Sequence, residues 1–168
     1  AERLVFSARP AAALAGSGFS PAVVVTALDA LGNVATAFTG DVTVALGGRP
    51  GGATLVGTTT VPAAAGVATF ADLRLDKAGV GYTLVATTAA LLPDTSEAFD
   101  VGAGPATRLA FTTQPTTVSA GSPVAPAVVV TVQDSLGNTA TSFTGSITVA
   151  LGANPGGATL LGTTTVAA

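Results

Sequence analysis

Val23-Val24-Val25-Thr26-Ala27-Leu28-Asp29-Ala30-Leu31-Gly32-Asn33 returns, 105 residues later, as Val128-Val129-Val130-Thr131-Val132-Gln133-Asp134-Ser135-Leu136-Gly137-Asn138. The first six residues of each stretch are rich in β-branched side chains, which pack well on a pleated strand. The Asp-x-x-Gly-Asn that follows is turn chemistry. Asp bonds to its own downstream backbone, while Gly and Asn tolerate left-handed dihedrals. Differences between the copies separate the faces of the strand: Leu28 becomes Gln133, whereas Ala27 becomes Val132. Val23, Val25 and Ala27 are therefore expected to point inward, and Ala22, Val24, Thr26 and Leu28 outward.

The same offset holds on both sides of this stretch. Arg3-Leu4 matches Arg108-Leu109, Phe38-Thr39-Gly40 matches Phe143-Thr144-Gly145, and Pro50-Gly51-Gly52-Ala53-Thr54-Leu55 matches Pro155-Gly156-Gly157-Ala158-Thr159-Leu160. Without a gap, residues 3–63 and 108–168 agree at 39 of 61 positions, which only duplication explains. The expected division is a complete repeat at 1–104 and the first strands of a second at 105–168. The second copy stops at Ala168, the counterpart of Ala63, so residues 66–101 have no partner in it. A strand from another chain is one way to complete such a copy. The join, Gly102-Ala103-Gly104-Pro105-Ala106-Thr107, is short and stiffened by proline, which favours modules set end to end.

Within the unit, β-branched runs with alternating polarity are separated by Gly, Pro, Asp and Asn at roughly ten-residue spacing. Seven strands are expected, near 4–7, 22–28, 42–46, 58–61, 67–75, 82–88 and 97–101. In the third, Val42, Val44 and Leu46 should be interior, as should Ile147, Val149 and Leu151 in the second copy. Phe6, Phe70, Tyr82, Leu84, Phe99 and Val101 would complete the core. An odd number of antiparallel passages brings the chain out opposite to where it came in, a geometry suited to stacking, with each module adding on the order of 35–45 Å.

The quoted strand and turn, together with Gly40-Asp41-Val42-Thr43-Val44, Gly66-Val67-Ala68-Thr69-Phe70 and Gly79-Val80-Gly81-Tyr82-Thr83-Leu84, resemble bacterial Ig-like repeats of the invasin and intimin type. The resemblance spans essentially the whole chain. It implies an all-β fold of tandem Ig-like Greek-key β-sandwiches, extracellular or cell-surface location, and no catalytic motif. Such repeats serve as stalks, as modules of large surface proteins, and as appendages of secreted enzymes or phage particles.

Composition removes most chemistry. The chain has no Cys, His, Met or Trp, and its single lysine is Lys77. Thiol and imidazole catalysis, disulfides and the common soft metal ligands are thus missing. Charged residues make up 9% of the chain and net charge is −3 with no basic cluster, so nucleic acid is not an expected partner. Mean hydropathy is +0.65, yet Gly, Pro, Thr or a charge interrupts every apolar run, so membrane insertion is not expected either.

Four residues are candidate calcium ligands: Asp29 and Asn33, and their counterparts Asp134 and Asn138. Calcium takes six to eight oxygens, and an Asx turn explains the same residues. Asp72, Asp76, Asp94, Glu97 and Asp100 form a second acidic set that solvation also explains. Asp72 with Asp76 is the one pair to weigh as a hydrolytic acid and base, but no aromatic platform or cleft is signalled. The loop Gly47-Gly48-Arg49-Pro50-Gly51-Gly52 lacks the Gly-Lys-Ser/Thr ending of a phosphate cradle. The triplets Thr58-Thr59-Thr60 and Thr163-Thr164-Thr165 suit strands without any ligand. Ser residues have no base to activate them.

The expected role is therefore non-enzymatic: a rigid spacer, or the body of an adhesive stalk or filament, whose partners are neighbouring repeats and other copies of the same chain. A glycan-binding or host-protein-binding module is the alternative from another class.

Overall fold

Residues 1–48 and 50–168 are described by a computed structural model, in which regular structure is β apart from one 3-10 turn at Pro50–Gly52. The first copy contains twelve short strands: β1 Arg3–Ala8, β2 Ala12–Leu14, β3 Val23–Leu28, β4 Asp41–Leu46, β5 Leu55–Val56, β6 Thr60–Pro62, β7 Val67–Phe70, β8 Arg74–Leu75, β9 Gly79–Tyr82, β10 Leu84–Thr87, β11 Asp94–Thr95 and β12 Phe99–Gly102. The run expected at 67–75 is broken, because the backbone bends to bury Leu73 completely between β7 and β8. The runs expected at 82–88 and 97–101 are each the core of a longer, interrupted strand.

Pairing joins most of these pieces into two layers, while β5 and β8 form a separate antiparallel pair. One layer is β1-β3-β7, antiparallel throughout. In the other, β9 and β10 are consecutive halves of one strand separated only at Thr83, and they face β12 and β11 respectively. This hairpin continues through β10 to β4 and β6, and through β12 to β2. The inner faces meet in one cluster that includes Val23, Val25 and Ala27 from one layer and Val42, Val44, Tyr82, Leu84 and Phe99 from the other. Each large aliphatic side chain so buried contributes about 1.5–3 kcal/mol. Thr26, expected outside, is also buried, since β1 and β7 flank it and its hydroxyl meets that of Ser7 at 2.8 Å.

Two pairings set where the chain comes in and goes out. β1 starts opposite the end of β3, with Arg3 against Leu28, and so begins beside the turn at 29–33. β12 runs parallel to β2 and ends with Gly102 against Leu14, so the chain leaves beside Gly16, at the opposite end of the β1–β3 pair.

The second copy repeats the first as far as it goes. β13 Arg108–Thr113 and β14 Val129–Gln133 pair in the register of β1 and β3, down to the same irregularity before Thr113 and Ala8. β15 Ser146–Thr148 and β16 Thr165–Ala167 pair like β4 and β6, and a threonine hydroxyl pair at 2.8 Å recurs in each. Its core is smaller: Val132, Ala140 and Ile147, with Val130 and Phe143 against them. The interior positions expected at Val149 and Leu151 are not enclosed; Val149 is half-buried and Leu151 is 45% exposed. In the first copy Leu46 is covered by Leu84 of β10, and this sequence holds no second β10.

Candidate functional site

The carboxylates of the acidic set are spread over separate tasks. Asp72 accepts from the Thr58 N–H and hydroxyl, Asp76 from the Thr54 N–H, Asp94 from the Phe6 N–H and Asp100 from the Gly81 N–H, while Glu97 pairs with Arg9. The Thr58 bonds hold the Asp72 carboxyl below its ordinary range. Asp72 and Asp76 thus each tie a loop to the strand region around β8. Thr60 pairs its hydroxyl with Thr43, so both ends of the first threonine triplet are occupied by strand contacts. Of the Gly-rich loop, Arg49 lies outside the described residues.

The two Asp-x-x-Gly-Asn turns have the same internal frame. Asp29 Oδ1 accepts from the N–H groups of Leu31 and Asn33 at 2.9 and 2.8 Å, and Asp134 Oδ1 accepts from Leu136 and Asn138 at the same distances. Gly32 and Gly137 both adopt φ of 86°, a conformation that a side chain would strain. The surroundings differ sharply. Leu31 is 88% exposed and Asn33 is exposed, whereas Asp134 is 2% and Asn138 8% exposed.

The difference is a docking site on the first copy. Asn138 Oδ1 accepts from the Ala78 N–H at 3.1 Å, and its Nδ2 donates to the Asp76 carbonyl at 3.1 Å and to Asp134 Oδ2 at 2.9 Å. One side-chain amide thus reads a carbonyl and an N–H two residues apart, as a neighbouring strand would. Asp134 Oδ2 also accepts from the Gly104 N–H at 2.9 Å, which fixes the join itself. Leu136 lies over Gly16, where an added Cβ would come within 3.1 Å of its Cδ1, and Gly16 itself has φ of 81°. Every buried side-chain polar atom in this joint has a partner, since among the described residues no buried side-chain nitrogen or oxygen is left unsatisfied.

The receiving segment is held from below. Tyr82, fully buried on β9, shares its hydroxyl between the carbonyls of Lys77 and Pro50 at 3.0 and 3.1 Å. Burial, and then the nearby Asp76 charge, push the Tyr82 phenol above its ordinary value. The four calcium candidates divide accordingly: Asp29 and Asn33 lie at the open end of the first copy, and Asp134 and Asn138 lie in the joint. In each pair the Asp oxygens face N–H groups. Gly16, Ala78 and Gly104 gave no signal as site residues, because they contribute backbone atoms or the lack of a side chain.

Burial pushes the Asp134 carboxyl up, but N–H donors from Asn138, Gly104 and Leu136 outweigh it and hold the group at about 2, against an ordinary 3.8. A carboxyl depressed by folding stabilises the structure above its unfolded value and loses that contribution as pH falls through the folded one. Protection of the Gly104 amide from hydrogen exchange, corrected for intrinsic rate, is therefore expected to stay level from neutral pH to about 4 and to fall between about 4 and 2. A decline beginning near pH 6 would show that another group governs the joint. Asp29 is lowered too, first by the Asn33 N–H, so the turn supplies part of this dependence and docking the rest.

A scan against protein-family models and a search of curated proteins both found no match to this chain.

Proposed function

We propose that this chain is a structural tandem-repeat segment of an extracellular or cell-surface protein, in which Ig-like modules set in series act as a rigid spacer or as the body of an adhesive stalk or filament. The observation that carries this reading is the seating of Asn138 and Asp134 on the Asp76, Ala78 and Gly104 backbone of the preceding copy. A flexible tether between independent domains has no use for buried, fully paired polar groups at its join. The placement of chain ends at opposite poles supports the same reading, as does an acidic set occupied with tying loops to strands. Among the described residues no helix is long and apolar enough to cross a membrane. A chain with only 9% charged residues has few charges to oppose lateral contact with other copies in an assembly.

Small-angle scattering tests the spacer role. The chain is expected to fit one fixed arrangement of its two copies, and Asn138→Ala to broaden the distribution of interatomic distances while leaving the first copy folded. A wild-type chain that samples many angles between its copies would overturn the reading.

A further inference from the structure

The turn at 29–33 is the docked turn of the second copy in an undocked state. Four of its residues, Asp29, Leu31, Gly32 and Asn33, are identical to the docking residues Asp134, Leu136 and Asn138 and the turn glycine Gly137. Its frame is already formed, with the Asp29 N–H to Asn33 carbonyl bond at 2.9 Å, as for Asp134 and Asn138. Docking would therefore need little further ordering of backbone. What it leaves in water is the same set of groups: an exposed amide whose Nδ2 is bonded only to Asp29, as Asn138 is to Asp134, and a leucine at 88% exposure. Leu92, bonded through its backbone to Glu2 and Leu4 beside this turn, is 64% exposed and enlarges the apolar end.

We infer that the 29–33 pole is a docking surface for another copy of this repeat joined ahead of it, with Asn33 seated on that copy's counterparts of Asp76 and Ala78 and Leu31 over its Gly16. This inference rests on the tandem-spacer reading and extends it to a second joint. The occupant is a copy of the same module for two reasons. The receiving surface on the first copy supplies a carbonyl, two N–H groups and a glycine, and needs no particular side chain. The differences that surround the turn, Leu28 for Gln133, Ala30 for Ser135 and Val34 for Thr139, touch none of these four groups. The spacing also fits. When residues 1–105 are placed directly before residue 1, Gly104-Pro105 is followed by Ala1-Glu2-Arg3 where the native join has Ala106-Thr107-Arg108. The receiving surface of the first copy is already filled by the second, so the occupant must be added in series and not by association of finished chains.

A three-module chain, residues 1–105 followed by 1–168, tests this with the middle module and its successor isotopically labelled. The readout is exchange of the side-chain amide protons of Asn33 in the middle module, with Asn138 as the internal standard. In the 168-residue chain Asn33 should exchange freely and Asn138 slowly; in the three-module chain Asn33 should slow by about tenfold or more, toward the Asn138 rate. If Asn138 stays slow and Asn33 remains as fast as before, the docking surface is overturned and the spacer reading stands. If both exchange freely, the fixed joint fails and both readings fall.

Discussion

Asp134→Ala is expected to destabilise the second copy and its joint by about 2–4 kcal/mol, well beyond the effect of the matching change Asp29→Ala. The asymmetry follows from burial. Both changes remove an acceptor from the N–H groups of the turn, but at Asp29 water can replace it. At Asp134 the enclosed Gly104 N–H and the Asn138 backbone N–H lose their acceptor out of reach of water, and the Asn138 amide keeps only its bonds to Asp76 and Ala78, so the desolvation penalty of the orphaned donors stays in the folded state. Asp29→Ala should cost about 1 kcal/mol. Denaturant unfolding followed by far-ultraviolet circular dichroism, with exchange at Gly104 as the local probe, separates the two. Equal losses would mean that the joint adds nothing to the turn.

Phe99→Ala is expected to cost about 3–5 kcal/mol of first-copy stability. Phe99 is 3% exposed on β12, with its ring edge-on to Phe19 at 5.6 Å between centroids and tilted against Tyr82 at 6.1 Å. Truncation leaves a cavity between the two layers and removes aromatic contacts worth about 0.5–1.5 kcal/mol beyond their area. It also withdraws support from Tyr82, whose hydroxyl holds the Lys77 carbonyl between the two groups that Asn138 reads. Tyr82 is the only tyrosine and no tryptophan competes, so its emission reports this site alone. The expected outcome is an early loss of the Tyr82 signal together with faster exchange at Ala78. A cost below about 1 kcal/mol would show that the layers close over the gap.

The strands that could be read from the residues were those with β-branched alternation: β1, β3 and β4 lie where their patterns place them. β2 could not be read. Ala12-Ala13-Leu14 has no β-branched residue, and its partner β12 lies 88 residues further along. β5 and β11 are two residues each, too short for any periodicity. Thr26 illustrates a different limit, since a hydroxyl can be buried when a neighbouring hydroxyl satisfies it, and alternation alone does not see Ser7 coming. The turns at 29–33 and 134–138 were legible as turns from Asp, Gly and Asn. Their different surroundings were not, because the two carry the same contact residues and only the order of copies along the chain decides which one meets a receiving surface. That surface is made of carbonyls, N–H groups and glycines, for which no side-chain pattern exists.

The parallel alignment of β2 with β12 has a mechanical consequence. β2 comes early along the module's chain and β12 last, yet the two lie side by side, with Ala12, Ala13 and Leu14 facing Asp100, Val101 and Gly102. Tension between the two ends slides these strands lengthwise past each other, so the bonds joining them are strained in shear together instead of being peeled open one after another. A module threaded in this way resists being pulled apart by the rupture of a group of bonds at once.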